Sequence, residues 1–219
     1  MEKKYIIFDF DNTIMDSLWC WYKLMNEDSF VVYGQKPNKQ MVILRKGLTN
    51  YKVAELFIKL SNVDMTPEQV LDLWYTTMET NFTTIINPIK GAIEYINYLK
   101  EQGYTLAIAS ATREKTIRVA LEHFGIADKF DYIFTEENTH GTKLDKSLLS
   151  TCLNTMGAKP EECFIFEDSI TSLKNANTLD IDCCCLVHKF NKSRIKEVKR
   201  FCKLVIKNYA DKKLNTLGL

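Results

Sequence analysis

Two carboxylates stand two residues apart at Asp9 and Asp11, directly after the apolar run Tyr5-Ile6-Ile7-Phe8, in the stretch Asp9-Phe10-Asp11-Asn12-Thr13. Tyr, Ile and Phe favour a covered strand, and covered strands of open parallel sheets present their chemistry at the carboxyl end. Residues i and i+2 of an extended chain share a side, but the second carboxylate can swing away as the strand ends. One acid can then attack while the other moves protons. A carboxylate is a weak nucleophile, yet it forms aspartyl-phosphate when a divalent cation neutralises the phosphoryl charge, so the spacing suits an Mg²⁺ site. The same five residues also suit a strand running into an Asx-turn, and the pentad alone leaves both readings open.

Three further polar clusters fall where later strands should end or helices begin: Ser110-Ala111-Thr112, Lys143, and Glu167-Asp168-Ser169. A hydroxyl with free amides can hold phosphate oxygens, a lysine can neutralise charge, and more carboxylates can complete an oxygen-rich magnesium shell. Each has an ordinary alternative: Ser110 as a helix cap, Lys143 as a solvated lysine, Glu167-Asp168 as acids favoured by a helix dipole. Their joint order along the chain favours phosphoryl-transfer chemistry.

These residues need a scaffold, and the pattern supplies one. From Pro88 onward helix and strand alternate: helix 89–102, strand 105–109, helix 115–124, strand 132–134, helix 147–156, strand 164–166, helix 169–178 and strand 183–187, with a short edge strand at 204–206. Such alternation specifies an α/β fold, a Rossmann-like parallel sheet with helices on both faces. Between Asp16 and Thr84 no buried strand is evident. Leu18, Tyr22 and Met25, then Val53, Leu56, Phe57 and Leu60, then Val70, Leu71, Trp74 and Met78 recur at helical spacing, and Thr66-Pro67-Glu68-Gln69 opens the last helix with a capping box. The expected organisation is a core of residues 1–16 and 85–219 with a small helical cap, 17–84, inserted after the first strand.

Composition narrows the function classes. The 219 residues are 46% hydrophobic, enough for a sizeable core, and 29 basic against 28 acidic side chains leave a net charge of +1. No global field favours nucleic acid or an anionic membrane. The apolar runs are far shorter than the roughly 20 residues that span a bilayer, and Tyr5–Phe8 is too short for a signal-peptide core. A cytoplasmic protein with reduced thiols is expected. The seven cysteines lack paired zinc-ligand spacing, and Cys183-Cys184-Cys185 reads as a buried strand.

With these motifs in view, the chain resembles the haloacid dehalogenase-like hydrolase superfamily over nearly its whole length, in particular capped phosphatases of the phosphoglycolate phosphatase and beta-phosphoglucomutase group. Asp9-Phe10-Asp11-Asn12-Thr13 matches the D-x-D-x-T signature, Ser110 the second motif, Lys143 the third and Glu167-Asp168 the fourth. The resemblance implies that Asp9 attacks phosphorus and that Asp11 protonates the leaving oxygen and later activates water. It implies Mg²⁺ bound by Asp9, Asp11 through its backbone carbonyl, and Asp168, with Glu167 close by, and a phosphoryl group held by Ser110, the Ala111 amide and Lys143. The chain departs from the family at Leu144, where proline commonly follows the lysine, and at Ser172 and Asp180 in a segment where glycines are common. A second lysine, Lys146, lies three residues beyond Lys143.

The resemblance further implies that the cap shapes the substrate, a small phosphorylated metabolite, with Trp21, Arg45, Lys46 and Arg113 as specificity candidates. Related sugar-phosphate mutases carry a cap histidine and arginine where this chain has Trp21 and Asn50, which favours hydrolysis over phosphomutation, although Arg45, Lys46 and Lys52 are cations that could substitute. Receiver-like signalling domains also combine strand-end acids, a hydroxyl and a lysine, but lack a helical insert of this length. Neither the physiological phosphoester nor the oligomeric state is encoded in these motifs.

Overall fold

The computed structural model describes residues 2–36, 39–45 and 47–219. The chain divides into two compact units, Met1–Asp16 with Asn87–Leu219, and Ser17–Ile86. The first contains six strands, β1 (Tyr5–Phe8), β2 (Thr105–Ser110), β3 (Tyr132–Thr135), β4 (Cys163–Glu167), β5 (Asp182–Leu186) and β6 (Leu204–Ile206), all parallel in the order β3-β2-β1-β4-β5-β6. The expected α/β architecture is therefore present, including the short edge strand.

Central placement explains the composition of β1. Ile6, Ile7 and Phe8 are wholly buried between β2 and β4, so a continuous apolar run replaces the alternation of a half-exposed strand. On one face Ile7, Ile165, Cys183 and Cys185 share a cluster with Leu148, Leu149 and Cys152 of a helix at Ser147–Met156 and with Leu173 and Ala176 of a helix at Ile170–Thr178. The pleat sends Phe8 and Phe166 the other way, where their rings stack at 5.0 Å and Tyr95, from a helix at Ala92–Glu101, meets Phe166 edge-on at 5.6 Å. The chain builds β2 and β3 to one side of β1 and β4 to β6 to the other. Strand order thus reverses at β1, where open α/β sheets form a crevice at their carboxyl ends.

Sequence periodicity places the start of the first core helix too early. Residues 89–91 instead form a turn: the Ile89 amide donates to the Ile14 carbonyl at 2.8 Å, and Gly91 adopts φ +80° as the helix N-cap. A Cβ at Gly91 would lie 3.0 Å from the Ala210 nitrogen, so the close approach of the 209–210 backbone also requires glycine. Asp180 holds a left-handed φ of 59°, a conformation that aspartate tolerates better than most residues.

The second unit is helical throughout its regular elements: Leu18–Lys23, a π-helical turn at Leu24–Asp28, then Ser29–Val32, Lys39–Leu44, Asn50–Ser61 and Pro67–Thr84. The capping box at Thr66 and Gln69 is formed, with Pro67 at the first helical position. Its centre is aromatic. Phe57 packs edge-on to Phe30 at 4.9 Å and to Trp74 at 5.7 Å, and the Trp74 indole donates to Ser29 Oγ at 2.7 Å. Phe57→Ala should therefore destabilise this unit by about 3–5 kcal/mol through lost burial and a residual cavity, measured by denaturant unfolding; a loss below about 1 kcal/mol would show that the ring is not central.

Candidate active site

Four loop or strand-end segments of the first unit converge at the carboxyl edge of the sheet. Asp9 follows β1 directly and is 4% exposed, its amide donating to the Phe166 carbonyl at 2.9 Å. The next turn is tight: Ile14 and Met15 amides both donate to the Phe10 carbonyl, at 2.9 and 3.1 Å, and Asn12 takes a left-handed φ of 58°. Asn suits that conformation. The turn carries Thr13 back so that its hydroxyl donates to Asp9 Oδ2 at 3.2 Å.

Lys143 is the hub of the cluster. Its Nζ lies 2.6 Å from Asp9 Oδ1 and 2.6 Å from Glu167 Oε2. Lys146 is exposed at the N-cap of the Ser147–Met156 helix and does not take this place. The loop carrying Lys143 has its own supports. Glu136 Oε1 accepts from the Lys143 amide and from the Thr142 hydroxyl, both at 2.8 Å, and the Asn175 amide group donates to the Lys143 and Asp145 carbonyls at 3.1 and 2.8 Å. A Cβ at Gly141 would come within 2.7 Å of the Leu148 nitrogen, so this loop passes the helix at a distance only glycine permits.

At the end of β4, Glu167 Oε1 accepts from the Asp168 and Ser169 amides at 3.0 and 2.8 Å. Asp168 is held from the far side: Asn191 donates to its carbonyl and to that of Leu186, both at 2.9 Å, and His188 Nε2 lies 2.8 Å from its Oδ2 without hydrogen-bond alignment. Burial lowers the His188 pKa to about 4, leaving the imidazole neutral near pH 7.

On β2, Ser110 accepts from the Thr112 amide at 3.1 Å, and the Thr112 hydroxyl donates to Asp11 Oδ2 at 2.5 Å. Asp9, Asp11, Ser110, Lys143, Glu167 and Asp168 are thus joined to one edge by the pairing of β1 with β2 and β4 and by these side-chain bonds. Ala111 continues from Ser110, and Arg113 is the half-buried N-cap of a helix at Glu114–His123. The remaining specificity candidates lie in the helical unit. Trp21 is 7% exposed and meets the Tyr75 ring edge-on at 5.7 Å, while the Arg45 guanidinium lies 5.8 Å from the centre of the Tyr22 ring. Lys46 falls outside the described residues.

Motif spacing missed the supporting residues Glu136, Asn175, His188 and Asn191, and it placed Thr112 in the Ser110 cluster without the bond to Asp11. Their signal is weak because each acts through one polar side chain that reaches a segment distant in sequence. Thr112 had the clearest cue, a second hydroxyl two residues after Ser110.

The charge balance tests whether a divalent cation fits. Asp9, Glu167 and Asp168 offer carboxylate oxygens within 4.8 Å of one another. Three negative charges against the single positive charge of Lys143 leave an excess of two (3 − 1 = 2). Burial and the Glu167 charge push the Asp9 and Asp168 carboxyls well above the ordinary range. Burial opposes ionisation of Glu167 too, but Lys143 and the hydrogen bonds to its oxygens hold it below that range. Burial likewise disfavours the Lys143 charge, and the two flanking acids outweigh it, so the ammonium stays protonated. A doubly charged cation with oxygen preference matches both the deficit and the donors.

An acid with a raised folded pKa binds protons in the fold that the unfolded chain has released, so the metal-free protein loses stability as pH rises from the ordinary carboxylate value of about 4 toward the raised values. A bound cation replaces those protons. Mg²⁺ should therefore raise the melting temperature of chelator-treated protein, more at about pH 8 than at about pH 5.5. An equal shift at both values, or none, in a thermal-shift titration would contradict this charge balance.

A family model for haloacid dehalogenase-like hydrolases matches residues 6–186. The fructose-1-phosphate phosphatase YqaB of Escherichia coli is 20% identical over 181 residues, covering 81% of this chain and 93% of its own. A phosphoglycolate phosphatase of Nitrosococcus oceani is 26% identical over 203 residues, covering 87% of this chain and 86% of its own. The crystal structure of CbbY from Rhodobacter sphaeroides in complex with phosphate superposes with a TM-score of 0.82 at 16% identity, covering 99% of this chain and 100% of that one. The matched span takes in the acids after β1, the hydroxyl after β2, the loop lysine and the acids after β4, and the chain belongs to the haloacid dehalogenase-like hydrolases.

Proposed function

We propose that this protein is a cytoplasmic, Mg²⁺-dependent phosphatase that hydrolyses a small phosphomonoester through an aspartyl-phosphate on Asp9. The observation that carries the reading is the buried Asp9 carboxylate held between Lys143 and the Thr13 hydroxyl at the end of the central strand. In the first half-reaction an Asp9 oxygen forms a bond to phosphorus as the ester P–O bond breaks, and Asp11 gives its proton to the departing alkoxide. In the second, Asp11 takes a proton from water, whose oxygen attacks phosphorus and releases inorganic phosphate and free Asp9. Lys143, the Ser110 hydroxyl and the Ala111 amide hold the phosphoryl oxygens. Mg²⁺ held by Asp9, Asp168 and the Asp11 carbonyl would supply charge neutralisation for the transferring group. Both Glu167 oxygens are already engaged, one by Lys143 and one by two amides, so Glu167 positions Lys143 and approaches the cation through water.

Substrate choice falls to the helical segment 17–84, with Trp21 and Arg45 as contacts there, Lys46 beside them in sequence, and Arg113 next to the phosphate-holding loop. Hydrolysis is favoured over phosphomutation because Trp21 and Asn50, in place of a histidine and an arginine, are tied together through Tyr75: its ring meets Trp21 and its hydroxyl accepts from Asn50 at 3.0 Å. A neutral aromatic and an amide give a second phosphate little charge to bind.

Phosphate release from a panel of small phosphomonoesters, with and without Mg²⁺, tests the proposal. Wild-type protein should turn over at least one, and Asp9→Asn should lose activity by roughly a thousandfold or more, as nucleophile removal does, while its circular dichroism stays native-like. A well-folded Asp9→Asn protein with wild-type turnover would remove Asp9 from its role.

A further inference from the structure

Five of the seven cysteines gather on one face of the sheet, and only Cys185, opposite Glu167 in the register, adjoins the acids. Cys152, Cys163, Cys183 and Cys185 are buried members of one hydrophobic cluster, and Cys202 packs against it. Within it, Cys183 Sγ and Cys202 Sγ lie 3.4 Å apart. Cys183 is on β5, and Cys202 ends the segment leading into β6, where the Lys203 amide donates to the Cys183 carbonyl at 2.9 Å. The pairing of Cys184 with Leu204 and Cys185 with Val205 runs the two backbones as neighbouring parallel strands, with Cys202 one residue before the position opposite Cys183, so their α-carbons are roughly 5–6 Å apart. That is within the range of separations a disulfide bridges without backbone movement. Cys184 points to the opposite face, toward Tyr95 and Tyr209, and Cys202 is the partly exposed member of the pair.

We propose that Cys183 and Cys202 form a modification site, a dithiol that low-molecular-weight disulfides convert to an intrachain disulfide. The Cys202 sulfur, having lost its proton, attacks one sulfur of the small disulfide. The reagent's S–S bond breaks, one small thiolate leaves and takes up a proton, and a mixed disulfide remains on Cys202. The Cys183 thiol then loses its proton and displaces the second small thiolate, which is protonated in turn. Two electrons pass from the protein to the reagent, and the Cys183–Cys202 bond replaces the S–S bond consumed.

The loop closed by this bond contains His188 and Asn191, the residues behind Asp168. The bond itself lies at the amino-terminal half of β5, opposite the edge that carries the acids. Oxidation should therefore stabilise the fold and leave the acid cluster in place. Contact with the Cys183 sulfur, together with burial, raises the Cys202 thiol pKa and makes the exchange slow.

Full-length protein incubated with excess oxidised glutathione, then freed of reagent, should lose two of its seven thiols by titration under denaturing conditions. Tryptic peptides analysed without reduction should include one linking the 183–185 segment to Cys202, with fragmentation placing the bond on Cys183. Melting temperature should rise by roughly 5–10 °C, as expected for closing a loop of this size, and fall back on reduction. Cys202→Ala, which leaves the buried Cys183 unchanged, should abolish the linked peptide and the shift. Retention of all seven thiols, a stable glutathione adduct on Cys202, or a bond between other cysteines would each overturn the proposal.

Discussion

One ammonium group organises the carboxyl edge of this sheet. Lys143 Nζ is the point at which Asp9, from the end of β1, meets Glu167, from the end of β4. Two acids on adjacent central strands would repel each other in a buried setting. A lysine between them turns that repulsion into two short ion pairs. Neither pair is evidence of net stability, because burying all three charges costs several kcal/mol per ion before their attraction offsets it. Removing one partner is a different matter, costing about 3–5 kcal/mol by leaving an uncompensated charge. The arrangement is best understood as a positioning device that fixes which way the Asp9 carboxylate faces.

Lys143 comes from a loop, and loops hold positions poorly unless their backbone groups are satisfied. Here they are. Glu136 binds the Lys143 amide, Asn175 binds two carbonyls of the loop, and Gly141 lets the chain approach Leu148 more closely than any side chain would allow. The proline that commonly follows this lysine in the family stiffens a backbone. In this chain Leu144 occupies that place, and side-chain hydrogen bonds from two neighbouring elements do the equivalent work. Rigidity that one residue type supplies elsewhere is distributed over Glu136, Thr142 and Asn175.

Much of this was legible from the sequence because the core elements carry strong, separate signals. The apolar runs at 5–8, 105–109, 164–166 and 183–187 read as covered strands, and an acid or a hydroxyl follows each of the first three. The Thr66 capping box was equally readable, since local chemistry alone determines it. What escaped were features set by distant backbone. The helix at Ala92 begins late because residues 89–91 are drawn into a turn against Ile14 and the 209–210 backbone, and no local pattern reports that. The π-helical turn at 24–28 likewise escaped, since apolar spacing at Leu18, Tyr22 and Met25 is compatible with a continuous α-helix. His188 and Asn191 escaped because a residue recruited to support Asp168 from the segment after β5 has no spacing relation to it.

The two acids of the first motif are near neighbours in sequence but occupy unlike environments, and that difference bears on the roles proposed for them. Asp9 is buried, bound by a lysine and a threonine, and crowded by Glu167 and Asp168. Its oxygens are fixed, as a nucleophile aimed at one phosphorus must be. Asp11 stands beyond the end of the strand, half-buried, and its Oδ2 is gripped by the Thr112 hydroxyl. A group that delivers a proton in one step and removes one in the next must reach both the leaving oxygen and water, so it cannot be locked into the charged cluster. The left-handed turn at Asn12 separates the two settings by reversing the chain immediately after Asp11. Environment, more than residue type, makes one carboxylate suited to attack and the other to proton transfer.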